Sequence, residues 1–340
     1  MDTKKEDQRI IYIDHTLSIP IYKQIVASVQ QGISNGSLTQ GDLIPSVNAV
    51  AAKFSVARGS IFKAYNELRG MGIIDSVPGK GYFIANARPV GKKNIFLLMS
   101  TYNPYREVFY NAFIDKLKNQ ATVDIYFHHH NIRVFETLIQ NHASNYNTFV
   151  IMPEIHKQTA QILNQLDQRN IYILDTGLKQ FGTLYPCVCQ NYEGDILEFL
   201  HSVKKRLNHY KRMVLLFSSN MRNYDVITGF ERFFAASKQE WLVVQKTEEF
   251  IPQRGDLCMV MDDNDLVRLF HFAKKKRWQL GHHLGIISYY DTPLKSIIAE
   301  GITTITPDFR QMGISMAEMV LQRSKEHIEN PFLLIERASF

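Results

Sequence analysis

The sequence predicts an α/β chain: an N-terminal winged helix-turn-helix domain followed by a two-lobed body of doubly wound parallel sheets. Three observations carry this. Two short helical patterns with a tight break between them, then a hairpin pattern, fill Ile44 to Ala85. Short apolar runs alternate with helical patterns from Ile95 to Ile287, in two series. The charge is uneven: residues 1–93 hold twelve Lys and Arg against seven Asp and Glu, and residues 94–340 hold twenty-seven against twenty-six.

In chain order, Met1 to Gln8 is polar and reads as a disordered arm. Ile10 to Ile13 reads as a short strand or an ordered lead-in. Ile21, Tyr22, Ile25, Val26, Val29 and Ile33 form a helical stripe that ends at Asn35-Gly36. Ser46 follows Pro45 and precedes the stripe Val47, Val50, Ala51 and Phe54, which makes it an N-cap. After a break at Ser55-Val56, a second helix buries Ile61, Ala64, Tyr65 and Leu68 and turns Arg58, Ser60, Lys63 and Asn66 outward. Ile73-Ile74 and Tyr82-Phe83-Ile84 flank Pro78-Gly79-Lys80-Gly81, a hairpin with one cation at its tip. A bare helix pair is more often a small structural subdomain. A basic helix start joined to a cationic wing points instead to DNA.

The stretch from Ile19 to Ala85 resembles the winged helix-turn-helix of the GntR family of bacterial transcription regulators. The resemblance rests on Ile19-Pro20-Ile21-Tyr22-Lys23-Gln24-Ile25, Gly41-Asp42-Leu43-Ile44-Pro45-Ser46 and Gly79-Lys80-Gly81-Tyr82-Phe83. Asn48 stands where the family commonly has Arg. Ala57-Arg58-Gly59-Ser60 stands where it commonly reads Ser-Arg-Thr-Thr, so Arg58 is kept and hydroxyls at 57 and 59 are not. The implied DNA-binding residues are Ser46, Asn48, Arg58, Gly59, Ser60, Lys63, Gly79, Lys80 and Gly81. Arg58 and Lys63 are expected to face the major groove.

The winged domain thus spans 10–85, and the polar Asn86 to Lys93 reads as a linker. Beyond it, strands are expected at Ile95–Met99, Val123–Phe127, Phe149–Met152 and Ile171–Leu174, and again at Met213–Phe217, Leu242–Val244, Cys258–Met261 and Leu284–Ile287. Helices are expected at Val108–Leu117, Val134–His142, Thr159–Leu166, Gly194–Leu207, Val226–Ala236 and Leu266–Lys276. One lobe would take about 94–189 and 305–328, the other about 190–302 and 332–340, with crossings near Val188–Asn191 and Gly301–Thr306. Ligands of such sheets bind beyond the carboxyl ends of the strands.

Asn94 to Phe340 resembles the effector domain of LacI-type regulators, itself similar to periplasmic sugar-binding proteins. The matching residues are Ser100-Thr-Tyr-Asn103-Pro104, Asp175, Thr228-Gly229-Phe230, Met261-Asp262-Asp263, Ser288-Tyr-Tyr-Asp291 and Ile302-Thr303-Thr304-Ile305, with Asp308, Met312-Gly313 and Leu334 to Ser339. This implies an effector site from Tyr102, Asn103, Tyr105, Asp175, Arg222, Asp262, Asp263, Tyr290 and Asp291. Carboxylates and amides would pair with sugar hydroxyls, and aromatic faces would cover the apolar side of the ring. The family's Arg before the helical Gly-Phe is Val226 here, with Arg222 one turn away. Its first Asp after the late strand is Tyr290.

Other chemistry finds little footing. Three cysteines make no disulfide framework, and Cys187 and Cys189 read as reduced thiols. His128-His129-His130 reads as a strand-end loop, because neighbours on a strand point to opposite faces. His282-His283 reads the same way. Lys274 to Arg277 reads as a solvated helix end. Asp262-Asp263-Asn264-Asp265 lacks the Gly and distant Glu of an EF-hand loop. No metal, cofactor or catalytic residue is expected. The polar N-terminus carries no secretory signal, and no apolar run is long enough to span a membrane. The expected protein is a cytoplasmic, homodimeric repressor of operator DNA controlled by a sugar or sugar phosphate, with a deoxyhexose such as fucose suiting the aromatics. The alternative is an enzyme with an appended GntR-type head, as in relatives with an aminotransferase-like body. That reading needs a Schiff-base Lys in a fitting context, and the sequence shows none.

Overall fold

The computed structural model describes residues 10–34, 36–71, 73–77, 79–85, 93–143, 146–219, 222–235 and 237–340. The expected N-terminal arm, residues 86–92 of the expected linker, Asn35 and Pro78 lie outside these. The chain divides into two compact units. One holds the described residues up to Thr101 with Lys118–Ile171, the other Tyr102–Leu117 with Tyr172–Phe340.

The head comprises α1 (Ile21–Ser34), β1 (Leu43–Ile44), α2 (Val47–Phe54), α3 (Arg58–Gly70), β2 (Ile74–Val77) and β3 (Gly81–Ile84). Its core gathers Ile25, Val29, Val50, Ile61, Tyr65, Leu68 and Ile84, the apolar stripes of three helices closed by the sheet. Ser46 caps α2 by accepting from the Ala49 amide at 3.2 Å, and Ser55 ends that helix in the left-handed region at φ 54. Ile10–Ile13 is an ordered lead-in, with Ile11 and Ile13 buried. Two side chains of α1 hold it. Ser28 Oγ accepts from the Tyr12 amide at 3.1 Å, and Gln24 Oε1 accepts from the Asp14 amide at 2.8 Å. With its backbone groups served by side chains, the lead-in needs no strand partner. The sheet runs β1-β3-β2, all antiparallel, with Ile74 opposite Ile84 and Val77 opposite Gly81. Gly79 and Gly81 take φ of 80 and 92, which lets the tight wing turn close.

The body continues with β4 (Lys93–Met99), α4 (Pro104–Leu117), β5 (Ala121–Phe127), α5 (Ile132–His142), β6 (Thr148–Ile151), α6 (Thr159–Leu163), β7 (Ile171–Asp175), α7 (Leu178–Phe181), β8 (Cys187–Cys189), α8 (Tyr192–Ser202) and α9 (Lys204–Leu207). Then come β9 (Arg212–Leu216), α10 (Asp225–Phe234), β10 (Glu240–Val244), β11 (Asp256–Val260), α11 (Asp263–Lys276), β12 (Gly285–Tyr289), β13 (Thr303–Pro307), α12 (Phe309–Gln322), β14 (His327–Glu329) and β15 (Phe332–Ile335). Strand β4 lies between β5 and β6, parallel to both, with Leu97 opposite Ile125 and Val150. It is buried from Ile95 onward, as its unbroken apolar run requires.

In the second unit β8 lies between β7 and β14, parallel to both. A further sheet has the order β10-β9-β11-β12-β13-β15. All its strands are parallel except β15, which pairs antiparallel with β13, Leu334 opposite Ile305. Two helix pairs in this unit meet at glycines. A Cβ on Gly313 of α12 would lie 2.5 Å from the Phe109 carbonyl oxygen of α4. One on Gly229 of α10 would lie 2.6 Å from the Glu193 carbonyl oxygen of α8. The expected crossing at Gly301–Thr306 is displaced. Thr303–Pro307 is β13 itself, and the chain leaves that sheet at Asp308 to enter α12 and returns through Asn330-Pro331. The reason is that 302–306 is fully buried, as a mid-sheet strand must be and a connector is not.

Candidate functional site

The head presents α3 as its exposed helix. Ile61, Ala64, Tyr65 and Leu68 are buried, while Arg58, Gly59, Phe62, Lys63, Asn66 and Arg69 are exposed. Arg58 is the first helical residue, and Ala57 at the N-cap offers no side-chain cap to the first turn. Ser60 is half-buried, and its amide donates to the Ala57 carbonyl at 3.0 Å. Asn48 is exposed in the first turn of α2. Lys80 is exposed at the wing tip between its two glycines. Lys63 sits with its ammonium 3.9 Å from the centroid of the Tyr22 ring. Phe62, 48% exposed, was not singled out in the sequence, because an aromatic at a helical position reads as core.

The second candidate site lies at strand ends of the second unit. Asp175 closes β7 at φ 62 and is wholly buried. Its Oδ1 accepts from the Tyr192 hydroxyl at 2.6 Å, and its Oδ2 lies 3.5 Å from the Arg106 guanidinium. Burial raises the Asp175 carboxyl above its ordinary range, against the opposing pull of Arg106 and Tyr192. Beside it the rings of Tyr105 and Tyr290 stack at 4.1 Å with 9° between their planes, and Phe309 lies 5.1 Å from Tyr105. Burial pushes the Tyr105 hydroxyl up to about 12, and that of Tyr290 up further. Tyr290 takes φ 63, a strained conformation for a bulky residue. A buried Lys295 holds it, donating to the carbonyls of Tyr289 at 3.2 Å and Tyr290 at 2.9 Å while pairing with Asp263 at 2.8 Å. A buried cation–carboxylate pair beside an aromatic platform is suited to a small polar ligand with one apolar face.

The other nominated residues fall variously. Tyr102 is 54% exposed, three positions before Tyr105. Asn103 caps α4, its Oδ1 accepting from the Arg106 amide at 3.0 Å. Asp262 caps α11 by accepting from the Asn264 amide at 2.7 Å. Asp291 is engaged by Arg337 through two bonds of 2.7 and 3.1 Å and by Thr304 at 2.8 Å. Burial opposes its charge, but these partners prevail and hold its carboxyl below the ordinary value. Arg222 is exposed on the loop before α10. Sequence reasoning missed Arg106, Tyr192, Lys295 and Phe309. Arg106 follows the nominated Tyr105 directly, yet a lone Arg on a helix reads as solvated.

In the first unit His128 and His130 both approach Glu154, at 3.7 and 3.3 Å. His129 and His130 turn through the left-handed region at φ 50 and 55, so the histidines form a strand-end turn. Among the described residues, no group of three or more His, Cys, Asp or Glu side chains is placed to hold a metal ion, and no helix is long and apolar enough to cross a membrane.

Residues 21–84 match the family model described as "Bacterial regulatory proteins, gntR family". The head is a GntR-family domain. It is similar to the HTH-type transcriptional repressor YtrA of Bacillus subtilis, 36% identical over 76 residues, which are 22% of this chain and 58% of YtrA. It is also similar to the mannosyl-D-glycerate transport/metabolism system repressor MngR of Escherichia coli, 30% identical over 69 residues, 20% of this chain and 29% of MngR. The chain thus spans little more than half of the first of these relatives and under a third of the second. Behind the GntR-family head, the body has the fold of LacI-type and periplasmic binding proteins. A lac repressor dimer bound to operator and the anti-inducer ONPF superposes with a TM-score of 0.60 at 16% identity, over 73% of this chain and 94% of that one. A periplasmic binding protein/LacI transcriptional regulator from Alkaliphilus metalliredigens, complexed with D-xylulofuranose, gives 0.58 at 12% identity, over 73% and 98%.

Proposed function

We propose that this chain is a cytoplasmic, homodimeric transcription repressor. Its GntR-family head binds operator DNA through α3 and the wing, and its LacI-like body binds a sugar or sugar phosphate at the strand ends. One observation carries the reading. A basic winged helix and a strand-end site of buried Arg106–Asp175 beside stacked Tyr105 and Tyr290 occur in one chain. The relatives of the head are named as regulators, which favours this over an enzyme with an appended head.

In this reading Arg58 and Lys80 contact phosphates or base edges, and Ser46, Asn48, Gly59, Ser60, Lys63, Gly79 and Gly81 complete the surface. Tyr105, Asp175 and Tyr290 meet the effector, with Tyr102, Asn103, Arg222, Asp262, Asp263 and Asp291 around them. An effector alters operator affinity only by binding two conformations unequally, and the coupling is reciprocal. The test is a thermal-shift screen of monosaccharides and their phosphates, followed by calorimetric titration of the hit with and without saturating operator. Operator and effector are expected to change each other's dissociation constant by one common factor. Identical effector constants in both titrations would refute the sensor role.

A further inference from the structure

The exposed face of α3 carries one residue that does not suit a water-facing position. Phe62 is 48% exposed, on the same face as Arg58, Asn66 and Arg69. With about 100° per residue, Phe62 projects between Arg58 and Gly59, and Asn66 lies one turn further on. A Cβ added at Gly59 would meet nothing within 4 Å, so the space beside Phe62 on the first turn is open. Lys63, the neighbouring cation, is engaged with the Tyr22 ring at 3.9 Å. The first two turns thus expose Arg58 and Phe62 on one face of the helix.

We infer that Phe62 is a specificity-determining residue, and that it reads a thymine 5-methyl group in the major groove. The inference rests on the reading of the head as an operator-binding domain. The residues near the start of a recognition helix are those that reach base edges. A phenyl ring has no hydrogen bond to give or take there, and thymine's methyl is the apolar group that the major groove displays. Duplex DNA fits this aromatic better than an apolar protein surface does. The exposed charges around the ring on α3 are Arg58, Lys63 and Arg69, all cations. A protein docking patch would surround it with further apolar side chains. With Arg58 on a phosphate or a guanine, Phe62 then selects the adjoining pair by shape and apolarity.

The full-length chain is to be used to select binding sites from a pool of random-core duplexes. The best duplex is then resynthesised with deoxyuridine replacing thymidine at one position at a time. Losing one packed methyl group is worth about fourfold in affinity. The wild type is expected to show that loss at one thymine of each half-site. Phe62→Ala should bind the thymidine duplex more weakly and lose the uridine sensitivity at that position alone, while keeping its response at every other position. Phe62→Leu, which preserves an apolar contact and the helix, should retain part of it. A selected duplex with no uridine-sensitive thymine overturns the inference, as does sensitivity unchanged in Phe62→Ala. Unchanged DNA affinity in Phe62→Ala, with its partner found instead to be a second protein, overturns it too. Failure to enrich any duplex refutes the operator-binding reading itself and is distinct from these outcomes.

Discussion

Replacing Asp195 with Asn should stabilise the second unit relative to wild type, by an amount that grows from about pH 4 to about pH 7 and then levels off. Asp195 lies in α8 and is 7% exposed. Its Oδ2 accepts from Gln190 Nε2 at 2.6 Å. The Gln190 amide is in turn paired with Asn330, donating to its carbonyl at 3.2 Å and accepting from its Nδ2 at 2.8 Å. Burial, aided by the nearby charges of Glu329 and Glu198, pushes the Asp195 carboxyl up to about 7 from 3.8, and the Gln190 bond only partly offsets this. The native pKa thus lies above the unfolded one. The native state keeps the proton through this window, and stability is lost as pH rises from about 4 to about 7. A rise of this size corresponds to about 4 kcal/mol at full expression. The residual exposure of Asp195 lets solvent screen part of that, so about 2 kcal/mol is expected at about pH 8. Asn preserves the acceptor for Gln190 and removes the charge. The assay is urea unfolding of wild type and Asp195→Asn at about pH 4, 5, 6, 7 and 8, followed by tryptophan fluorescence, since Trp241 and Trp278 both lie in this unit. The two should nearly coincide at about pH 4, diverge in favour of Asn up to about pH 7, and differ by little more at about pH 8. A gap that does not change with pH would refute the reasoning.

Three further outcomes are expected. Lys80→Ala should weaken operator binding and flatten its salt dependence by about one unit of slope, measured by anisotropy across a salt series; an unchanged slope would leave Lys80 merely solvated. Ala57→Ser should restore the missing cap of α3 and raise head stability by about 1 kcal/mol, read from thermal melts. Gly313→Ala places a methyl against the Phe109 carbonyl and should cost about 1–3 kcal/mol in urea unfolding, because neither backbone can yield without parting α4 from α12.

The strands and helices were readable because their signals are local. The run Ile95–Met99 is apolar throughout and becomes β4, and the Val47, Val50, Phe54 stripe becomes α2. The late strand β13 was harder, since Thr303-Thr304-Ile305-Thr306-Pro307 has neither an alternating pattern nor an apolar run. Its threonines are buried by being bonded. Thr303 Oγ1 donates to the Arg337 carbonyl at 2.9 Å and Thr304 Oγ1 donates to Asp291 at 2.8 Å. Those partners lie 34 and 13 residues away, where no local pattern reaches.

By itself the sequence determined most of the elements up to Ile287 and the basic winged head, because periodicity, capping and turn chemistry are properties of neighbours, while Tyr105, Asp175 and Tyr290 were singled out by the resemblance to LacI-type regulators. Only the tertiary structure decided which charges are committed. It gave Arg106 to Asp175, Arg337 to Asp291 and Lys295 to Asp263 and two successive carbonyls. It left Phe62 exposed among cations. A charge's partner and an aromatic's burial depend on segments brought together by folding, and their energies on how much water remains between them.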